Sequence, residues 1–237
     1  MDKDKVKVVI LCGGLGSRLS EETKLKPKPM VKIGGIPILL HIMNIYSKYG
    51  YKNFILALGY KKNYIKKFFR NFKNKNKWNI ELVDTGKDSL TARRILLLKK
   101  YLIKNDFFFL TYGDGVSNIN LDKLIQSHLI SKKTATVTAV RPPARFGELK
   151  FNGNLVSNFD EKNQINSGWI NGGFFVFGKN IFNYLPNSNT MLERQTMNKL
   201  TESKQLNAFK HQGFWQCMDT LRDKEVLNNI WKKKLKW

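Results

Sequence analysis

Residues 8–35 read VVILCGGLGSRLSEETKLKPKPMVKIGG, and this stretch decides the fold. An apolar run from Val6 to Leu11, broken only by Lys7, has the pattern of a strand buried on both faces of a parallel sheet. It runs directly into Gly13, Gly14 and Gly16. A loop so poor in side chains leaves its backbone N–H groups open to whatever lies above it, and such a loop can cradle phosphates. Arg18 follows at once, and Lys28 comes later between Pro27 and Pro29. The two prolines fix φ on either side of the lysine and hold it in an extended segment. A rigidly presented lysine facing an arginine suits a polyphosphate.

Other phosphate loops fit less well. A Walker loop ends in Gly-Lys-Ser/Thr, whereas Gly16 is followed by Ser17 and Arg18. A dinucleotide fingerprint requires a third glycine where this chain has Leu19. A tight strand exit would also use glycines, but it does not require Arg18 and Lys28.

Beyond the loop the chain alternates between the two periodicities. Apolar residues at helical spacing predict helices over 37–49, 61–72, 92–103 and 121–131. Strands are expected over 53–58, 79–83, 106–112 and 134–140. This βαβ rhythm predicts an α/β protein: a Rossmann-like, mostly parallel wound sheet with helices on both faces. Segments 146–151 and 155–159, joined at Asn152-Gly153, predict a small antiparallel hairpin extension. A strand over 170–177 opens with Asn171-Gly172-Gly173, and helices follow over 190–200 and from just after Asp219 to residue 234. The fourth strand ends at Gly113-Asp114-Gly115, which is either a common turn or a carboxylate at the ligand-binding edge of the sheet. Asp219 is likewise either a helix cap or a site acid. The helix over 61–72 is amphipathic and basic; such a stripe packs on a sheet with its lysines in solvent, or lies on a membrane.

Composition sets bounds on these readings. The 237 residues suit one domain spanning 1–237 and can bury a full core. No apolar run approaches the roughly 20 residues needed to cross a bilayer. The first residues lead straight into a strand, and the two cysteines, Cys12 and Cys217, show no metal or disulfide spacing. The expected compartment is the cytoplasm. Forty-two Lys and Arg against 18 Asp and Glu give a net charge of +24, which favours anionic partners. The basic residues are dispersed rather than interleaved with aromatics, so no dedicated nucleic-acid or membrane partner is expected. None of His41, His128 and His211 has a recognisable serine or cysteine partner in the sequence, which leaves no nucleophile triad.

The stretch GGLGSRL…KPKPMVKIGGIPIL resembles the nucleotidyltransferases that activate sugar 1-phosphates with a nucleoside triphosphate, and so implies the nucleotide-diphospho-sugar transferase fold. LVDTG, TYGDGV, PARFGEL, INGGFFVF and GFWQCMDTLRD, in that order, narrow the resemblance to the cytidylyltransferases that act on glucose 1-phosphate. The resemblance implies transfer of a cytidylyl group from CTP to α-D-glucose 1-phosphate, giving CDP-glucose and pyrophosphate by in-line attack on the α-phosphorus. It implies Mg²⁺ on Asp114 and Asp219, with Arg18 and Lys28 completing the catalytic set. Nucleotide contacts are implied for Leu11, Gly13, Gly14, Gly16, Ser17, Arg18, Lys28, Ser89, Arg94 and Gly113. Sugar-phosphate contacts are implied for Glu161, Lys162, Asn171 and Gly172. It further implies a homo-oligomer and a role in making nucleotide sugars for surface polysaccharide. The chain departs from the family pattern in four places: a short loop before LVDTG, Thr91-Ala92-Arg93-Arg94 for T-G-G-R, Asn163 for a proline, and Leu192-Glu193-Arg194-Gln195 where a tryptophan and a second glutamate are usual. Another sugar 1-phosphate or another base therefore stays open, as does a non-catalytic nucleotide- or RNA-binding protein on the same fold.

Overall fold

The computed structural model describes residues 2–143, 147–160, 168–233 and 237. Strand β1 (Lys7–Cys12) leads through a short helix α1 (Ser20–Thr23) to the two-residue strands β2 (Lys32–Ile33) and β3 (Ile36–Pro37). Then come α2 (Ile38–Lys48), β4 (Asn53–Leu58), α3 (Lys62–Arg70) and β5 (Asn79–Asp84). The middle of the chain forms α4 (Thr91–Leu97), α5 (Lys99–Leu102), β6 (Phe107–Tyr112), β7 (Gly115–Ser117), α6 (Leu121–Ser131) and β8 (Ala135–Val140). A hairpin of β9 (Glu148–Asn152) and β10 (Leu155–Asp160) precedes β11 (Ile170–Gly178). The chain closes with α7 (Met197–Glu202), β12 (Leu206–His211), β13 (Trp215–Cys217) and α8 (Leu221–Lys232).

Seven strands form one sheet in the order β12-β8-β11-β6-β1-β4-β5. All pairings are parallel except those of β11, which runs against both β6 and β8. The sheet is therefore mixed and mostly parallel, as the βαβ rhythm predicts. The chain order reverses at β1, which has β4 on one side and β6 on the other; in open α/β sheets, ligands bind above such a switch point.

The two-residue period of each strand separates the core into two layers. Val8, Ile10, Phe54, Leu56, Phe109, Phe174 and Val176 face the helices α2, α3, α6 and α8. Val9, Leu11, Ile55, Phe108, Leu110, Phe175 and Phe177 face α4, α5 and α7. Each such side chain removed from water contributes about 1.5–3 kcal/mol, so the central strands hold the fold. On α3, Ile65 is buried, Phe68, Phe69 and Phe72 pack against the core, and Lys62 pairs with Asp84 at 2.5 Å. The apolar stripe thus lies on the sheet, while Tyr64 remains exposed. Among the described residues no helix is long and apolar enough to cross a membrane.

Several boundaries differ from the sequence expectations. The hairpin turn is Gly153-Asn154, not Asn152-Gly153: Asn152 pairs with Leu155, and Gly153 carries the φ of +60°. A glycine at the first central position is what a type II′ turn requires. The helix expected over 92–103 is two helices, broken at Leu98. The segment over 190–200 begins as a π turn, Leu192–Thr196, before α7. The final helix is capped by Thr220, whose side chain accepts from Asp223 N–H while Asp223 answers the Thr220 N–H, so Asp219 is not the cap. The histidine reading also changes: His211 Nε2 lies 3.1 Å from Ser117 Oγ, and His128 Nδ1 lies 2.9 Å from Thr136 Oγ1. Ser117 is 1% exposed and donates to the Phe214 carbonyl, so it is a structural hydroxyl and no nucleophile.

Candidate active site

At the exit from β1 each loop glycine has a separate local reason. A Cβ on Gly13 would sit 2.2 Å from the Arg94 guanidinium carbon, so the loop lies directly on that side chain. Gly16 takes the left-handed conformation, φ +67°, at the turn into Ser17–Leu19. Gly14 alone faces open space, with nothing within 4 Å of where its Cβ would be.

Asp114 and Asp219 arrive side by side because β7 and β13 form a short antiparallel ladder, with Gly115 opposite Cys217. Met218 N–H then donates to the Asp114 carbonyl at 2.9 Å, which places the two acids at the same end of that ladder. Lys28 lies between them: its Nζ is 2.7 Å from Asp114 Oδ2 and 2.5 Å from Asp219 Oδ1. Arg18 reaches Asp219 Oδ2 at 3.0 Å. Partial burial alone would raise the Asp219 carboxyl, but Lys28 and Arg18 outweigh it and hold the group below the usual aspartate range. Burial likewise pulls Lys28 down, and the two carboxylates more than offset it, leaving the ammonium above its ordinary value. Asp219 and Lys28 are therefore both charged at neutral pH.

Two cavities open on this cluster. The smaller, about 380 Å³, lies over the glycine loop, and all ten residues expected to touch the nucleotide line it, from Leu11 to Gly113. The larger, about 940 Å³, lies over the start of β11 and is lined by Asn171, Gly172, Trp215 and Asp219. Arg18, Tyr112 and Asp114 line both, so the two cavities meet at one carboxylate. Glu161 and Lys162 lie outside the described residues.

Arg94 lines the smaller cavity from beneath the glycine loop. It is 3% exposed, and its guanidinium donates to the carbonyls of Gly13, Leu58, Gly86 and Lys87 and to Thr85 Oγ1. It forms the floor beneath the smaller cavity, tying the ends of β1, β4 and β5 together.

The wall between the cavities was not legible in the sequence. The Tyr112 hydroxyl donates to Glu193 Oε1 and accepts from Asn171 Nδ2 at 3.1 Å. Thr91 Oγ1 holds the other Glu193 oxygen at 2.8 Å. Burial and the neighbouring Glu193 push the Tyr112 hydroxyl far above its ordinary range, so it acts as a neutral donor. The only available signal was the position of Tyr112 immediately before Gly113-Asp114-Gly115. Trp215 adds a donor, its Nε1 to the Gly172 carbonyl at 2.7 Å, which fixes the mouth of β11.

The cluster offers two carboxylates, two cations and open backbone, with no group placed as a nucleophile. Among the described residues no three His, Cys, Asp or Glu side chains gather as a metal site. A pair of carboxylates nevertheless matches an Mg²⁺ ion, which keeps several waters and takes its remaining oxygens from substrate phosphates. Asp114 and Asp219 fit that donor set, since one ammonium already spans an oxygen of each.

Comparison with known proteins agrees with this arrangement. Residues 7–223 match the family model described as nucleotidyl transferase. The chain is 43% identical to glucose-1-phosphate cytidylyltransferases of Salmonella typhimurium and Salmonella typhi, over 96% of this chain and 96% of each relative. Among solved structures, HddC from Yersinia pseudotuberculosis complexed with GMP-PN superposes with a TM-score of 0.74 at 26% identity, covering 95% of this chain and 99% of that one. A glycine-floored cavity, a shared carboxylate and a family match across nearly all of the sequence give one conclusion: the chain belongs to the nucleotidyl transferase family.

Proposed function

We propose that this chain transfers a cytidylyl group from CTP to α-D-glucose 1-phosphate, releasing pyrophosphate and CDP-glucose. The observation that carries the reading is the meeting of two cavities at Asp114, with Lys28 and Arg18 beside it. Two phosphorylated reactants, one per cavity, would bring their reacting ends together there. The names of the Salmonella relatives support CTP and glucose 1-phosphate as that pair.

The chain's own contribution is alignment and charge. An oxygen of the sugar phosphate attacks the α-phosphorus, a new P–O bond forms, and the bond to the pyrophosphate oxygen breaks; no protein nucleophile is needed. The glycine loop and Lys28 hold the triphosphate, and Arg18 neutralises charge on the phosphorus being attacked. Tyr112, Asn171 and Gly172 shape the sugar side. Asp114 and Asp219 are the residues that would hold Mg²⁺, which when bound screens the mutual repulsion of the two phosphates.

Incubation with Mg²⁺, each of the four nucleoside triphosphates and a panel of sugar 1-phosphates tests the reading by pyrophosphate release. CTP with glucose 1-phosphate should give the highest kcat/KM. A higher value for another pair would keep the reaction class and replace the substrates. Release with no pair would overturn the enzymatic reading and leave the nucleotide- or RNA-binding alternative.

A further inference from the structure

In this structure Lys28 occupies the place where a divalent cation would have to sit. Its ammonium is held by Asp114 Oδ2 at 2.7 Å and by Asp219 Oδ1 at 2.5 Å. Arg18 takes the remaining Asp219 oxygen at 3.0 Å. The side chain is only 12% exposed, and the buried Pro27 and Pro29 restrict the backbone that carries it. An Mg²⁺ ion held by Asp114 and Asp219 would compete with the ammonium for the same carboxylates. Two cations cannot share that position, so metal entry requires Lys28 to leave.

Where Lys28 can go decides the rest. It also lines the smaller cavity, beside Gly14 and Gly16. With that cavity empty, a displaced ammonium has lost both counter-ions in a half-buried site, which opposes metal binding. With a triphosphate there, phosphate oxygens replace the two carboxylates and the opposition disappears.

We propose that Lys28 is a tethered counter-ion that closes the Asp114–Asp219 pair to divalent cations until a nucleoside triphosphate draws it away. This deepens the reading of the same site as a triphosphate site and rests on it. The effect is a coupling free energy between nucleotide and metal, and such coupling is reciprocal. It makes the free protein a poor metal binder and prevents an idle ion from holding the acids.

The test is Mn²⁺ binding to the free protein, followed by titration calorimetry and by the electron-spin resonance of unbound Mn²⁺, without turnover. Lys28→Met should bind Mn²⁺ roughly tenfold or more tightly than the parent in the absence of nucleotide. Arg222→Met, which removes a charge from the same cleft without touching either acid, should change it by no more than about twofold. Adding Asp114→Asn to Lys28→Met should abolish the gain. CTP should tighten Mn²⁺ binding strongly in the parent and much less in Lys28→Met. If Lys28→Met does not fold by circular dichroism, Lys28→Gln replaces it with the same expected direction.

Equal Mn²⁺ affinity for the parent and the Lys28 variant would overturn the inference. So would an equal gain in Arg222→Met, which would mark a general field and not an occupied site. Because the nucleotide-free Mn²⁺ readout does not depend on catalysis, failure of the pyrophosphate panel and failure of this inference are separate results.

Discussion

Lys28 contacts both acids of the candidate site, and two prolines flank it in the chain. The prolines restrict the backbone that carries it, and its ammonium lies beside both acids while the side chain lines the smaller cavity, where charge would grow in the proposed reaction. Lys28→Ala should therefore lower kcat by on the order of 10²-fold, measured by steady-state pyrophosphate release at saturating substrates. A change confined to KM would mean that the lysine binds the ground state and the transition state equally. The sequence made this residue legible because proline constraint and cation spacing are both local. Its partners were not: Asp219 lies 191 residues away, and which oxygen of which acid it meets is set by the fold. Arg94 shows the same limit. The family resemblance implies that it is a nucleotide contact, and its position beneath Gly13 depends on how three strand ends converge.

Elements determine how firmly those residues are held. Arg94 reaches from α4 across to the ends of β1, β4 and β5 and satisfies carbonyls from each exit. Arg94→Ala strands those acceptors in a buried place, and stability should fall by about 2–4 kcal/mol in urea unfolding. The loop it supports should loosen at the same time, raising KM for the nucleotide more than KM for the sugar phosphate. The packing of α6 on β8 has its own pH signature. Burial lowers His128 to about 4, and its ring bonds Thr136 across that contact. The unfolded chain takes up that proton first, near the ordinary histidine value of about 6.5. The stability is thus complete above about 6.5, drains as pH falls toward 4, and then levels off. His41 and His211 are also lowered by burial and add to the same slope. Between pH 7 and about 4.5, the urea midpoint of the parent should fall more steeply than that of His128→Gln.

At the scale of the whole molecule, the dominant quantity is the charge of +24. Both proposed reactants are anions, and such a field raises their encounter rate at low ionic strength. Between about 50 and 300 mM salt, kcat/KM should fall severalfold while kcat stays nearly constant, because screening acts on approach and not on the bound complex. A kcat that fell in parallel would place the screened charges inside the reaction itself. The same salt series with single-stranded RNA measures whether the dispersed lysines also serve a polyanion.

Lys28, expected in an extended segment, instead opens the 3₁₀ turn Lys28–Met30, and the short elements α1, β2, β3, β7 and β13 were not foreseen. The longer strands and helices, the glycine loop and the Gly-Asp-Gly turn were determined by sequence alone. Each rests on periodicity or turn chemistry that acts over a few neighbouring residues. The two layers of core followed from the same alternation within each strand. Only the tertiary structure decided that Asp114 and Asp219 meet, since the β7–β13 ladder that joins them pairs distant segments by backbone hydrogen bonds, which any sequence can make. It also decided that Thr220 and not Asp219 caps α8, that Tyr112 and Glu193 divide the two cavities, and that Lys28 fills the gap between the acids. A cap is chosen by the direction in which the chain enters the helix, and a shared counter-ion by which charges the fold brings within reach.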